Sequence, residues 1–397
     1  MRTNSRILSL SSERKKQIGV FCLYRRYQNM WFGIGKLFLY GIIGLLLSWT
    51  ALWYRYRDPN TKTTQLYELP QRPKLIGPLA VNDKLQSVEY ILKEEIVGPE
   101  SLVVEGESIY TGLYDGRVVH IKNNKIIKEI KFTKATRCGS FDTEPTCGRP
   151  LGIRRLNKDE LVVADAYLGI FIVNFKAGTF RHIVKSTVPI EGRFMRFLND
   201  IEVLNEDQII FTDSSSKWDR RHVIHIFLES QPLGRILKHT ISTGRTEVVA
   251  DNLYFPNGIQ LHPDGNSVVF AECSRATVKQ LNLQTNKMTS FATNLPGFPD
   301  NIRNGANGTL WIGLAGVRHI DAPSMIDAAG AYPLLRQILI DIIPSRWWIQ
   351  YVHMLRPSHA MIIQLDADGN IIQSLHDTKG KHIQDVSQAF FQKLPYV

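Results

Sequence analysis

Four residues whose side chains end in carboxylate or amide oxygens, Glu100, Asn199, Asn257 and Asp300, recur along this chain at a near-constant interval. Each is the third residue of a short segment of common form, and Leu151 holds the same place in a fifth. The segments are Gly98-Pro99-Glu100-Ser101-Leu102, Arg149-Pro150-Leu151-Gly152-Ile153, Phe197-Leu198-Asn199-Asp200-Ile201, Phe255-Pro256-Asn257-Gly258-Ile259 and Phe298-Pro299-Asp300-Asn301-Ile302. Their third positions lie 51, 48, 58 and 43 residues apart. Oxygen donors with no thiolate or paired histidine among them suit a hard cation, and Ca²⁺ takes about six to eight oxygen ligands in irregular geometry. The plainer reading is that Asn and Asp open strands as good turn residues. Turn chemistry alone does not hold Glu100 in register with the other three, so position rather than composition favours a metal.

A second set keeps the same register. Each segment is followed 12 to 15 residues on by the end of a run rich in β-branched and aromatic residues, closing at Gly112, Asp165, Asp213, Glu272 and Gly313. The elements that must position both sets are short paired strands. A period near 50 built from such strands and from Gly, Asp and Asn turns predicts a β-propeller with one four-stranded blade per repeat. About six blades fit between residue 80 and the C-terminus, so the expected fold is an all-β, six-bladed β-propeller. Innermost strands line the axis, which points the four oxygen-bearing residues and Leu151 at a common centre. The end of each second strand falls on the same face, and Asp165, Asp213 and Glu272 are expected to rim the pocket there. A carboxylate so placed can deprotonate water attacking an ester or lactone carbonyl that the cation polarises, with Asp213 the first choice. Strand-end turn chemistry is the alternative for all three.

The 397 residues are 44% apolar, enough for one large core. The formal charge of +11 does not mark a nucleic-acid partner, because residues 1–36 alone carry an excess of +7. That basic tail precedes Leu37–Tyr54, eighteen residues without a charge. The run has the length of a transmembrane signal anchor, with Trp49, Trp53 and Tyr54 as an interfacial belt; a cleaved signal peptide is the alternative. The charge asymmetry keeps the tail cytosolic and sends the remainder across the membrane, as a single-pass type II protein of the endoplasmic reticulum or plasma membrane. Residues 55–80, with four prolines, read as a stalk ahead of the propeller at 81–397. Cys138 and Cys147 bracket a short loop and are expected to pair, as suits a lumenal or extracellular domain. Cys273 reads as a buried thiol, Cys22 lies on the cytosolic side, and Asn307 opens the only glycosylation sequon.

Residues 319–354 interrupt the blade pattern. Leu334, Leu335, Ile338, Leu339, Ile342 and Ile343 recur at helical spacing, followed by Trp347, Trp348 and Ile349. Such an insertion forms a lid for hydrophobic substrates, touches the bilayer, or packs against the propeller's side.

Several stretches, Cys147-Gly148-Arg149-Pro150-Leu151-Gly152-Ile153, Phe211-Thr212-Asp213-Ser214-Ser215-Ser216-Lys217-Trp218 and Pro296-Gly297-Phe298-Pro299-Asp300-Asn301-Ile302-Arg303 among them, resemble the strictosidine synthase-like branch of the six-bladed calcium propellers, a group that includes paraoxonase and gluconolactonase. The resemblance covers roughly residues 60–380. It implies calcium ligands at Glu100, Asn199, Asn257, Asp300 and Asn301, and a second, structural calcium at Asp200. It does not carry catalytic groups over: the glutamate of strictosidine synthase falls near Lys381, and the paraoxonase histidine falls on Leu151. The chain also departs from the family at its end, where Ala389–Val397 stands in place of the expected final inner strand. The last blade therefore reads as truncated or replaced, which puts closure of the ring in question. The expected activity is that of a membrane-anchored calcium-dependent hydrolase, arylesterase or lactonase-like, on a small hydrophobic ester or lactone. A non-enzymatic calcium-stabilised binding protein is the alternative, and the absent glutamate argues against condensation chemistry.

Overall fold

Every apolar run in that register becomes a strand in the computed structural model of this chain, which describes residue 36, residues 38–52, residue 55 and residues 63–389. The first sheet comprises β1 (Leu102–Glu105), β2 (Ser108–Gly112), β3 (Arg117–Lys122) and β4 (Lys125–Lys131). The second comprises β5 (Pro150–Arg155), β6 (Leu161–Asp165), β7 (Gly169–Asn174) and β8 (Thr179–Lys185). The third holds β9 (Leu198–Asn205), β10 (Gln208–Asp213), β11 (Gly234–Thr240) and β12 (Arg245–Leu253). The fourth holds β13 (Pro256–Leu261), β14 (Ser267–Glu272), β15 (Thr277–Asn282) and β16 (Met288–Ala292). β17 (Gly297–Asn304), β18 (Leu310–Val317), β19 (Ala360–Leu365) and β20 (Ile371–Asp377) make the fifth. Each sheet is an antiparallel meander with its strands in sequence order.

Stacking of sheet on sheet explains the sequence pattern. β6, β10 and β14 are apolar on both faces because each lies between two neighbouring sheets and is buried throughout or nearly so. Val162, Ala164, Ile170 and Ile172 of the second sheet meet Leu198, Ile201, Ile209 and Phe211 of the third in one core cluster. Burying each large apolar side chain there contributes about 1.5–3 kcal/mol. The outermost strands β4 and β8 are largely exposed.

Five sheets are present among the described residues where six blades were expected. The reason lies in residues 63–100 and 378–389, which hold turns, bends and one short 3₁₀ turn but no strand. The ring nevertheless closes through the chain end. The Asn301 N–H donates to the Ser387 carbonyl (2.9 Å), and the Gln388 side chain bonds the Leu102 N–H (3.2 Å) and carbonyl (2.9 Å). Residues 386–388 thus bridge the fifth sheet and the first.

The chain divides into two compact units, Met1–Lys62 and Thr63–Val397. The expected stalk does not stand free of the second unit: Tyr67 is buried and its hydroxyl donates to the Ser274 carbonyl, and the Ser374 hydroxyl donates to the Pro78 carbonyl. In the first unit, 38–52 form a helix, α1, whose apolar side chains are exposed. Among the described residues no helix is long and apolar enough to cross a membrane. The remaining residues of the expected span, the basic tail before residue 36, Cys22 and residues 390–397 lie outside the described residues.

Cys138 and Cys147 form a disulfide, the second cysteine closing the one-turn helix α2 (Glu144–Cys147), while Cys273 is free and buried. The expected helical insertion folds as α4 (Met325–Ala329), α5 (Pro333–Ile342) and α6 (Ser345–Leu355), following α3 (Val223–Glu229) of the third sheet. Trp348 of α6 packs with Ile224 and Leu228 of α3. Asn307 sits exposed in a turn before β18, with φ +56°.

Candidate metal centre

The inner strands run so close together at the axis that their backbones decide what fits. A Cβ on Gly258 of β13 would lie 2.5 Å from the Asn301 Cα and the Asp300 carbonyl oxygen of β17. A Cβ on Gly152 of β5 would lie 2.8 Å from the Asp200 Cα of β9. These approaches, with the irregular register near the starts of β5, β13 and β17, hold the third residues of the five segments around the axis.

Their oxygens are left without partners. Glu100 Oε2, Asn199 Oδ1, Asn257 Oδ1 and Asn301 Oδ1 are all buried and accept no hydrogen bond. Native proteins satisfy nearly all buried polar atoms, so a cluster of four unpaired acceptors calls for an explanation. The donor sides of the same groups are occupied: Asn301 Nδ2 donates to Glu100 Oε1 (2.8 Å) and Asn199 Nδ2 to Ser214 Oγ (3.1 Å). The oxygens are therefore turned to one purpose and the nitrogens to holding them. Burial, then the nearby Asp200 charge, pushes the Glu100 carboxyl up to about 7, against the pull of Arg149 and Arg303. Burial and the Glu100 charge push Asp300 well above the carboxylate range. Two acids and three amides whose charge is costly and whose acceptors are empty form a donor set that fits Ca²⁺. Among the described residues no three His, Cys, Asp or Glu side chains gather as a metal site; this centre relies on amides instead.

Asp200, expected to serve a second calcium, is already neutralised by protein. Arg303 Nη1 donates to its Oδ2 at 2.8 Å, Arg154 Nη1 to Oδ1 at 3.3 Å, and the Ile259 N–H to Oδ2 at 2.9 Å. Burial raises its pKa, but the two arginines outweigh that and hold it below the usual value. Arg303 also donates to Ser101 Oγ (2.8 Å), so a buried ionic layer lies beside the oxygens. Composition alone hides this layer. The repeat register does not: Arg154, Glu202, Gln260 and Arg303 all stand three residues past their segment's third position.

The expected rim carboxylates lie inside rather than at a rim. Asp213 is fully buried, accepting from the Phe197 N–H (3.1 Å) and pairing with Arg235 Nε (3.0 Å). Glu272 accepts from the Tyr254 N–H (3.0 Å) and pairs with Lys279 (2.9 Å). Asp165 Oδ1 accepts from the N–H groups of Tyr167 and Leu168, both at 3.0 Å, and its Oδ2 is unpaired. Burial pushes Asp165 and Asp213 up to about 6. Asp165 holds the turn that follows its own strand, the plainer role, whereas Asp213 and Glu272 hold the backbone just ahead of the inner strands β9 and β13.

An apolar cluster is built from the residues that lead into the donor segments. Phe197, Phe255 and Phe298 stand two residues before Asn199, Asn257 and Asp300, and Phe227 of α3 meets Phe255 at 5.2 Å and Phe298 at 5.4 Å between ring centroids. Phe255 holds φ +55°, a left-handed conformation costly for a bulky residue, and keeps it inside this aromatic cluster.

A second polar cluster, unseen in the sequence, lies at the end of the fifth sheet where β18 ends, β19 begins and β20 ends. Buried His319, His359 and His376 form a chain, Nε2 of His319 to Nδ1 of His359 (3.0 Å), Nε2 of His359 to Nδ1 of His376 (2.9 Å), and Nε2 of His376 to Ser374 Oγ (2.8 Å). The Ser374 proton goes to the Pro78 carbonyl (2.9 Å). Every histidine must then donate through Nε2, and His319 Nδ1 is left a bare, unpartnered nitrogen.

Fold and centre define a β-propeller with an oxygen-lined axial site. Residues 199–285 match the strictosidine synthase family and residues 77–121 the N-terminal region of its strictosidine synthase-like branch. Adipocyte plasma membrane-associated protein of Danio rerio is 38% identical over 80% of this chain and 76% of its own length. The protein of that name from Homo sapiens is 36% identical over 78% and 74%, and the strictosidine synthase-like 3 protein of Arabidopsis thaliana is 30% identical over 83% and 86%. The chain belongs to the strictosidine synthase-like family, in the group of the adipocyte plasma membrane-associated proteins.

Proposed function

We propose that this chain is a membrane-anchored propeller that binds calcium at its axis and hydrolyses small hydrophobic esters or lactones. The observation that carries the calcium reading is the set of four buried, unpartnered oxygens at Glu100, Asn199, Asn257 and Asn301. With Asp300 they would hold the ion, which when bound supplies Lewis-acid polarisation of a carbonyl. The chain's own contribution is an apolar wall, Phe197, Phe227, Phe255 and Phe298, that suits a hydrophobic acyl or aryl group and excludes water.

The anchor reading rests on the basic tail followed by an uncharged run, and on α1 having no polar face to set against a soluble core. It is in keeping with relatives that carry plasma membrane association in their names. On this reading the propeller lies on the lumenal or extracellular side.

One observation favours a second reading, a calcium-stabilised binding protein without catalysis: Asp165, Asp213 and Glu272 are buried and each is committed to backbone N–H groups. Turnover of aryl esters and lactones by the full chain, with and without chelator, separates the two. Calcium-dependent hydrolysis supports the enzyme. Calcium binding and thermal stabilisation with no turnover on any of these substrates supports the binding protein.

A further inference from the structure

The helical insertion has two unlike faces. Its inner face packs on α3 through Leu339, Ile340, Ile343, Trp348 and Val352. Its outer face exposes Leu334, Leu335 and Ile342 of α5, and Trp347, Met354 and Leu355 of α6; Trp347 is 50% and Met354 76% exposed. Contiguous exposed side chains of this size mark an interaction surface.

Charge narrows the occupant. Residues 319–354 contain no lysine. Arg336 is buried among backbone carbonyls, including Gly330 (3.0 Å), Arg346 pairs with Asp142 (2.6 Å), and Arg356 with Asp385. The surface offers no basic patch for an anionic partner, and its driving force is apolar.

Chain connectivity supplies the location. The second unit begins on this very insertion: the Thr63 N–H donates to Gln337 Oε1 (2.9 Å) and Thr64 Oγ1 to the Pro333 carbonyl (2.9 Å), both on α5. Thr63 is eight positions after Arg55, which is still helical, so the chain between them reaches at most about 30 Å. A domain tethered that closely meets the bilayer at roughly millimolar effective concentration while the linker is intact, and the exposed apolar side chains of α5 and α6 give it an affinity of its own that outlasts the tether.

We propose that the outer face of α5 and α6 seats in the interface of the bilayer that α1 enters, with Trp347 and the neighbouring Tyr351 (ring centroids 6.3 Å apart) at headgroup depth. This rests on the anchor reading above. Since the described arginines of the insertion are already partnered, its seating does not need anionic lipid and does not weaken with salt.

The test uses the full chain reconstituted into phosphatidylcholine vesicles, with a protease site introduced between residues 56 and 60. After cleavage the wild-type propeller is expected to float with the vesicles at low salt and at high salt alike. The double variant Leu335→Glu, Met354→Glu should show a partition coefficient at least tenfold lower, since each lost side-chain burial is worth roughly a factor of ten. Its unchanged melting temperature would show that exposed positions alone were altered. Release of the cleaved wild type as completely as of the variant overturns the proposal, as does vesicle-independent dimerisation through this face. Alkaline carbonate distinguishes failure of the anchor: if it strips the uncut chain, the anchor reading falls, and flotation of wild type against variant still decides the face.

Discussion

Glu100 and Asp300 bring two acidic groups into a buried centre whose other donors are neutral amides, and the absence of a protein cation on Glu100 Oε2 is what a cation would remedy. Glu100→Gln and Asp300→Asn should each lower calcium affinity by at least about tenfold, because ligand charge sets affinity at such sites and even supporting groups are worth that much. Leu151→Ala, at the equivalent place on β5, should cost about 2–5 kcal/mol of stability with the affinity unchanged. Calcium titration calorimetry beside thermal melts checks both; equal affinities for wild type and Asp300→Asn would remove the centre. The histidine chain makes a different prediction. Burial, then the neighbouring histidines, pushes His359 down to about 4, below its ordinary value of 6.5, opposed by Asp377. Burial and His319 do the same to His376, and Asp321 is the acid facing His319. Between those values the unfolded chain binds more protons than the folded one, so stability falls as pH drops from 6.5 towards about 4. Denaturant titrations should show that fall shrinking in His359→Gln, and nitrogen chemical shifts should report Nε2–H tautomers at all three positions.

At the scale of the element, the inner strands are governed by backbone proximity. Gly258 and Gly152 each face the next sheet's inner strand where no Cβ fits. Gly258→Ala should therefore cost about 1–3 kcal/mol, as overpacking does, and also shift Asp300 and Asn301, weakening calcium. Gly265, in an open hairpin with nothing near its Cβ position, is the contrast; its φ of +68° makes alanine strained there but should leave calcium affinity intact. A loss of stability and affinity at Gly258 against stability alone at Gly265 is the expected pattern in paired urea and calcium titrations.

For the molecule as a whole, topology is the open variable. If the propeller is translocated, Asn307, exposed in its turn, should carry one glycan in a eukaryotic host, removed by Asn307→Gln. A tag before Met1 should be digested only after the membrane is permeabilised. An unmodified Asn307 together with a protease-resistant C-terminal tag would reverse the orientation and take the disulfide's expected compartment with it.

The register of the five segments, read from residue types alone, was enough for the propeller and for Glu100, Asn199, Asn257 and Asp300 as a converging set, because each blade repeats one local solution and the axis makes equivalent positions meet. The cysteine pair and the helical insertion were legible for the same reason: each is a local pattern. What required the tertiary structure were contacts between segments far apart in the chain. Only there does Asp200 find Arg154 and Arg303, whose charges neutralise it within the protein. Only there do Asp213 and Glu272 turn inward to Arg235 and Lys279. Residues 386–388 lack strand periodicity, and that they bridge the first and fifth sheets follows from bonds to Asn301 and Leu102, not from their own composition. Periodicity encodes what each blade does alone; which polar groups neutralise one another across blades is decided by distances that no linear spacing contains.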